Sequence, residues 1–373
     1  MKSREYFYGI DFIRFCAALL VVFHHLGCYT DAAFEPICPA VWFGWVGVEI
    51  FFVISGFVIA NSASGSRPMI FLKGRILRLY PAAWLCATIT LVVSVAAPDA
   101  SLGQAMPIYL RTLALLPNGP WIDTVYWTLA VEIGFYLLIF CLLCAGAFLH
   151  LSRVALLLTI LSSLFLCFLG ARLWAFVPLS RFTELIDSHH YLVQFLLARY
   201  GCFFALGIWI WISTTRALKT WERAASAISI VACIGEICLR GSMLLPLGAG
   251  SLSWIVPAVP FWIAAITCLF LFSRVPGLTL PPGVTAGRIR TIGLMTYPLY
   301  LVHDIVGKSV VRVVLSTGIN MWAALAFGAL SMIFLSWVIC KFCEPLVRKI
   351  LAAFLDKVAA QQVFVPSFKG RKP

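Results

Sequence analysis

The sequence predicts an all-α, polytopic membrane bundle of about ten transmembrane helices with both termini cytoplasmic. Three observations predict it. The 373 residues are 62% hydrophobic and 12% charged, with a mean hydropathy of +0.98, which is more apolar surface than a water-soluble core of that size can hide. Apolar stretches of about twenty residues, the length that crosses a hydrocarbon core, recur along the whole chain. Lys and Arg fall in alternate loops, as they do when those loops are cytoplasmic.

The first span, 11–28, contains Asp11 and Arg14 and has no small-residue cleavage site behind it, so it is expected to remain as a helix and not to be removed as a signal peptide. The others fall near 42–61, 80–97, 126–148, 154–177, 191–213, 224–246, 252–273, 291–311 and 321–343. The seventh is interrupted by Glu236 and Arg240, and losing it makes the count odd. On the ten-span frame twenty basic residues lie on the side of the termini and six on the other, with Arg14 and Arg199 inside spans. The expected organisation is a membrane domain over 1–345 and a basic cytoplasmic tail over 346–373. In that tail 347–358 forms an amphipathic helix on anionic headgroups, ahead of a mobile end.

The formal charge of +13 is spread over successive loops and forms no single stripe, so nucleic acid is not an expected partner. The thirteen cysteines lie mostly in apolar segments, where a thiol acts as a small hydrophobe. The CxxC pairs Cys141/Cys144 and Cys340/Cys343 have no second pair or His at zinc spacing, so no metal site is expected. Cys28 and Cys38 flank a short outer loop and pair if that loop faces an oxidising space.

An ionisable group inside a span costs several kcal/mol (~3 for Arg or Asp at mid-helix) unless it is paired or wet, so each one marks a candidate site. The assigned direction puts His25, Glu49, Glu132, Arg199 and His303 in the outer part of their helices, where they can meet in one outward-facing polar cavity. Arg14 lies about 16 Å below His25 along the first helix, level with Arg75 and Arg78, which open the third span. Arginines near helix ends also snorkel to headgroups, and Arg–Glu pairs also hold bundles together. His24 points about 100° away from His25, which suits packing.

These residues fall in strings that resemble the acyltransferase-3 family of membrane O-acyltransferases: Asp11-Phe-Ile-Arg14 followed by His25; Gly47-Val-Glu49 running to Ser55-Gly56-Phe57; Arg75-Ile-Leu-Arg78 before Tyr80-Pro81; Tyr126-Trp127-Thr128-Leu129 before Glu132 and Phe135-Tyr136; Arg199 ahead of Phe204 and Gly207; and Tyr297-Pro298-Leu299-Tyr300-Leu301-Val302-His303. Membership implies transfer of an acyl group, most often acetyl from acetyl-CoA, to hydroxyls of O-antigen, exopolysaccharide or other glycans at the cell inner membrane, and in some relatives to macrolides. Some relatives carry a further extracytoplasmic hydrolase-like domain. The resemblance here stops at the membrane part, so acceptor recognition is expected from the bundle and its short loops.

Acyl-CoA carries phosphates at one end and a thioester at the other, so the enzyme needs cations and a reactive centre well apart. Arg75 and Arg78, with Arg14 below them, are the expected phosphate ligands. His25 is the expected general base for an acceptor hydroxyl, with Glu132 orienting it. Glu49, Arg199, Tyr300 and His303 are the candidates for holding the acceptor or the oxyanion. A nucleophilic Ser55 is a lesser alternative. Tyr126, Trp127 and segment 98–123 form either a sugar-stacking rim or an interfacial anchor. A proton-coupled transporter is the competing class, and its paired broken-helix repeats are not found in the sequence.

Overall fold

The computed structural model describes residues 7–97, 101–173, 181–244, 252–275 and 286–362, and all regular structure among them is helical. Helix α1 spans Tyr8–Cys28. Short turns over 38–46 lead into α2, Gly47–Ala63, which is followed by α3, Pro68–Val95. An amphipathic outer helix, α4, Leu102–Leu113, precedes α5, Trp127–Cys144, and α6, Leu151–Leu173. Then come α7, Gly201–Thr215; α8, Thr220–Leu244; α9, Ala258–Phe272; α10, Ala286–Val302; α11, Ile305–Ser316; α12, Met321–Val338; and, after one π-helical turn, α13, Glu344–Gln362.

Among the described residues seven helical stretches are long and apolar enough to cross a bilayer, and α7 and α9 are shorter apolar helices. With α10, these overlap the ten predicted spans, and three departures have physical causes. Helix α3 begins three turns before the predicted span because its first half carries Lys73, paired with Asp356, and Arg75 and Arg78, which line an internal cavity; Pro68 starts it. The sixth span starts later because Leu197 takes a left-handed φ of 63°, which breaks the chain between 190–195 and α7 and leaves Arg199 outside the helix. The ninth span is two helices, broken at His303 and Asp304.

Packing follows small residues, as it must where lipid gives helices no hydrophobic drive to associate. Helices α2 and α7 cross where a Cβ on Gly56 would lie 2.3 Å from the Phe204 carbonyl oxygen and one on Gly207 2.1 Å from that of Val53. Gly56 thus serves close approach. Phe327, Leu330 and Phe334 of α12 point outward, the apolar face a bilayer covers.

Two structural features fix the ends of the bundle. Arg348 of α13 lines the same cavity as Arg14, Arg75 and Arg78, and Lys73 pairs with Asp356, so the first turns of α1 and α3 share one end with α13. At the other end Cys28 and Cys38 form a disulfide, with Cα atoms 4.7 Å apart.

The seventh span stands because its charges face inward. Arg240 is paired with the fully buried Glu49, and Arg199 Nε donates to Glu236 Oε1 at 2.9 Å. The Arg240 guanidinium also lies 5.1 Å from the Trp45 ring and 5.5 Å from that of Trp127. Arg240→Ala leaves Glu49 buried and unpaired, and its expected cost is about 3–5 kcal/mol. The double variant Glu49→Ala/Arg240→Ala is expected to lose less than Arg240→Ala alone, as read from denaturation in detergent.

Candidate active site

A cavity of about 380 Å³ runs into the bundle from the end that carries α13. Five arginines line it: Arg14 from α1, Arg75 and Arg78 from α3, Arg290 from α10 and Arg348 from α13. Asp11 and Glu132 are the carboxylates on its wall. Arg75 Nε and Arg78 Nη1 are buried and find no hydrogen-bond partner among the described residues. Their guanidinium groups lie over aromatic faces instead, Arg75 5.7 Å from Phe71 and Tyr136 and Arg78 5.5 Å from Tyr297. Stacking holds each fork in place and leaves N–H groups for an anion. The three arginines read from the sequence are therefore brought together. Arg290 and Arg348 join them, though in the sequence they were only two of many topology charges.

Partway along the cavity Glu132 Oε1 accepts from Ser55 Oγ at 2.9 Å and from Tyr136 OH at 2.6 Å. Tyr136 follows Glu132 by one helical turn, a spacing that sets the two side chains together. This corrects the expected pairing of Glu132 with His25: the carboxylate looks into the arginine cavity, among partners on α2 and its own helix. Further along, Val48, Thr128 and Tyr300 line the wall.

His303 follows Tyr300 by one turn, and it is the partner His25 has. His25 Nδ1 and His303 Nε2 are 2.7 Å apart, with the two rings parallel to within 3°. His303 Nδ1 lies 2.8 Å from the Tyr300 carbonyl oxygen. A carbonyl only accepts, so in a neutral pair Nδ1 of His303 carries the proton and its Nε2 accepts. His25 Nδ1 must then donate, which leaves His25 Nε2 as an unprotonated lone pair. The His25 side chain is 23% exposed. Asp304 Oδ1 lies 3.9 Å from His25 Nδ1 and is also paired with Lys308. His24 turns away and is buried, its ring edge-on to Tyr29 and Trp42, as packing requires.

Other expected contacts are not formed. Glu49 and Arg199 are committed to Arg240 and Glu236 and do not line the cavity. Tyr126 is buried with its hydroxyl on the Ala83 carbonyl, and Trp127 packs against Phe52 and Tyr200, so neither offers a face to a sugar. Ser55 lines the cavity beside a carboxylate, which keeps it polar and oriented.

The break that presents His303 is held by Asp123, a residue the sequence did not single out. Its carboxylate is buried and accepts from Val125 N at 3.1 Å and from Ile305 N at 3.2 Å, capping the approach to α5 and the start of α11 together. Thr124 adds a longer contact to Asp304. Asp123→Ala strands the buried Val125 N–H and the half-buried Ile305 N–H and is expected to cost about 1–3 kcal/mol. It should lower turnover with donor affinity unchanged, because the arginine cavity lies elsewhere, and Asp123→Asn should be milder. Denaturation, turnover and donor titration of the two variants check this.

No curated protein and no solved structure matched the chain. The family model described as an acyltransferase domain matches residues 7–341, an interval that takes in the arginine cavity up to Arg290, the Ser55–Glu132–Tyr136 group and the His25–His303 pair, and the chain belongs to that acyltransferase family.

Proposed function

We propose that the protein moves an acetyl group from acetyl-CoA to a hydroxyl of a glycan at the cell inner membrane. The observation that carries this reading is the five-arginine cavity together with the His25–His303 pair, which does not line the cavity but is joined to its wall through the Tyr300 carbonyl. Arg14, Arg75, Arg78, Arg290 and Arg348 supply charge-assisted, fork-shaped donors of the kind that phosphate oxygens take. The pantetheine arm passes Ser55, Glu132 and Tyr136, whose polar atoms suit its amides, and the thioester comes to rest near Tyr300.

The step balances on this chain's own residues. Nε2 of His25 takes the proton of the acceptor hydroxyl as its oxygen attacks the thioester carbonyl. The imidazolium that forms keeps its Nδ1–H on His303, and Asp304 lies close enough to stabilise it. As the tetrahedral intermediate collapses, the C–S bond breaks and His25 returns the proton to the leaving thiolate, giving the ester and free CoA thiol. Tyr300 lines the cavity at this point and is the remaining candidate for holding the reacting group. Arg199 and His303, considered for the oxyanion on sequence grounds, are held by Glu236 and by the Tyr300 carbonyl and His25.

Purified protein given acetyl-CoA and an acceptor releases CoA thiol on this reading. His25→Ala is expected to lower the rate by about 10²–10⁴ with donor affinity kept, because the phosphate ligands begin about 16 Å away along α1. Arg75→Ala and Arg78→Ala should weaken donor binding, with only partial rescue by Lys, which keeps charge but loses the fork. Equal donor affinity in both alanine variants would return these arginines to a snorkelling role. Labelled acetyl-CoA given to membranes, followed by fractionation, identifies the acceptor: label in lipid and none in glycan would replace the glycan.

The direction across the membrane has a separate test. With cytoplasmic termini, Cys28 and Cys38 face the oxidising side, where a disulfide persists. A maleimide that does not cross membranes should label them in intact cells only after reduction, and Cys28→Ser/Cys38→Ser should remove that signal. Labelling that needs permeabilised cells would reverse the topology.

A further inference from the structure

Helix α13 has two faces, each with its own partner chemistry. Phe342 in the preceding turn and Leu346, Ile350 and Phe354 on the helix recur every four residues and are 59%, 62%, 63% and 61% exposed. Lys349 and Lys357 are exposed beside this stripe. The stripe continues the outward apolar face of Phe327, Leu330 and Phe334 on α12, the helix that leads into it. Side chains two apart stand about 200° apart around a helix, so Arg348, two residues from both Leu346 and Ile350, points the other way, where it lines the arginine cavity. Asp356 stands in the same relation to Phe354 and pairs with Lys73 of α3, the helix that also carries Arg75 and Arg78.

We infer that α13 is a lipid-seated arm of the cavity: its outer face beds in an anionic headgroup layer, and that seat holds Arg348 in the anion site on its inner face. The partner of this face is the bilayer surface. An apolar stripe continuous with a spanning helix belongs at the acyl boundary, and lysines flanking it extend to phosphate while their stems cover apolar surface. A helix held at that level by lipid and at its far turn by Lys73 and Asp356 has little freedom to lift Arg348 away. Donor affinity then becomes linked to lipid composition, because a ligand that needs Arg348 binds the seated state better and each binding event favours the other. The seat stands independently, whereas the link to the donor rests on the acetyl-CoA reading.

Plain electrostatics predicts the opposite sign, which makes the test sharp. Acetyl-CoA is a polyanion, so an anionic surface by itself repels it and weakens binding. The full protein is placed in nanodiscs of phosphatidylcholine alone or of phosphatidylcholine with phosphatidylglycerol. Hydrogen exchange over residues 344–358 and the affinity for acetyl-CoA are measured in each. Expected for the wild type are slower exchange and about tenfold tighter donor binding in the anionic discs. Lys349→Gln/Lys357→Gln should lose both responses. Arg348→Gln should keep the exchange response and lose the affinity response. Exchange that ignores lipid composition overturns the seat. Donor affinity that falls in anionic discs for wild type and Arg348→Gln alike overturns the link and leaves the seat. If Arg75→Ala also binds acetyl-CoA as tightly as wild type, the donor reading falls by itself and takes the link with it, while the exchange result still decides the seat.

Discussion

The ion pair of Arg240 with Glu49, and beside it that of Arg199 with Glu236, shows the constraint on which this bundle is built: a charge taken out of water must meet its opposite. Four ionisable groups from α2, α8 and the loop before α7 neutralise one another in pairs, and the aromatic faces of Trp45, Trp127 and Tyr200 close over the guanidinium groups. Cation and carboxylate balance there one to one, although Glu49 Oε2 and Glu236 Oε2 find no hydrogen-bond partner among the described residues. The cavity beside α3 obeys the same constraint in the opposite sense. Five arginines and two carboxylates line it, Arg14 is paired with Asp11, and Arg75 Nε and Arg78 Nη1 are buried with no hydrogen-bond partner among the described residues. More cation than carboxylate lines this cavity, a balance that water or an anion can restore, whereas the Arg240 and Arg199 pairs balance within the protein.

That distinction explains what the sequence disclosed and what it did not. Hydropathy and the distribution of Lys and Arg located the helices because lipid acts on composition along the chain. The Arg75/Arg78 spacing and the level of Arg14 were legible for the same reason, since depth along a helix counts residues. Azimuth does not. Glu132 was placed at the depth of His25 and assigned to it, yet it faces Ser55 and Tyr136 around the helix from that expectation. Glu49 and Arg199 looked like site residues because their partners, Glu236 and Arg240, stood on the span that composition made weakest. Their i, i+4 spacing on one face was the available signal that the span carries an inward charged stripe.

Two backbone features had no sequence signal of the usual kind. The left-handed Leu197 is not glycine, and the break at His303 and Asp304 follows no glycine and comes five residues after Pro298. The second is held from outside the helix: Asp123 supplies the acceptor that the first turn of α11 lacks, and the Tyr300 carbonyl accepts a hydrogen bond from His303 Nδ1. A local sequence window cannot show a cap that arrives from 182 residues away.

Helix α1 also acts as a ruler. Arg14 and His25 belong to one unbroken helix, so the distance between the arginine cavity and His25 is fixed by eleven residues of α-helical rise, about 16 Å. On the proposed reading a donor gripped by its phosphates at one end presents its thioester at a set height, near Tyr300. In the proposed reaction only the acetyl group needs to pass that height. The polyanionic carrier stays with the arginines, and the acceptor hydroxyl meets His25 from the side that carries the Cys28–Cys38 disulfide. The bundle then has no need to move a charged substrate through lipid, because the two halves of the reaction are approached from opposite faces and meet at the one imidazole whose lone pair the His303 and Tyr300 hydrogen bonds leave free.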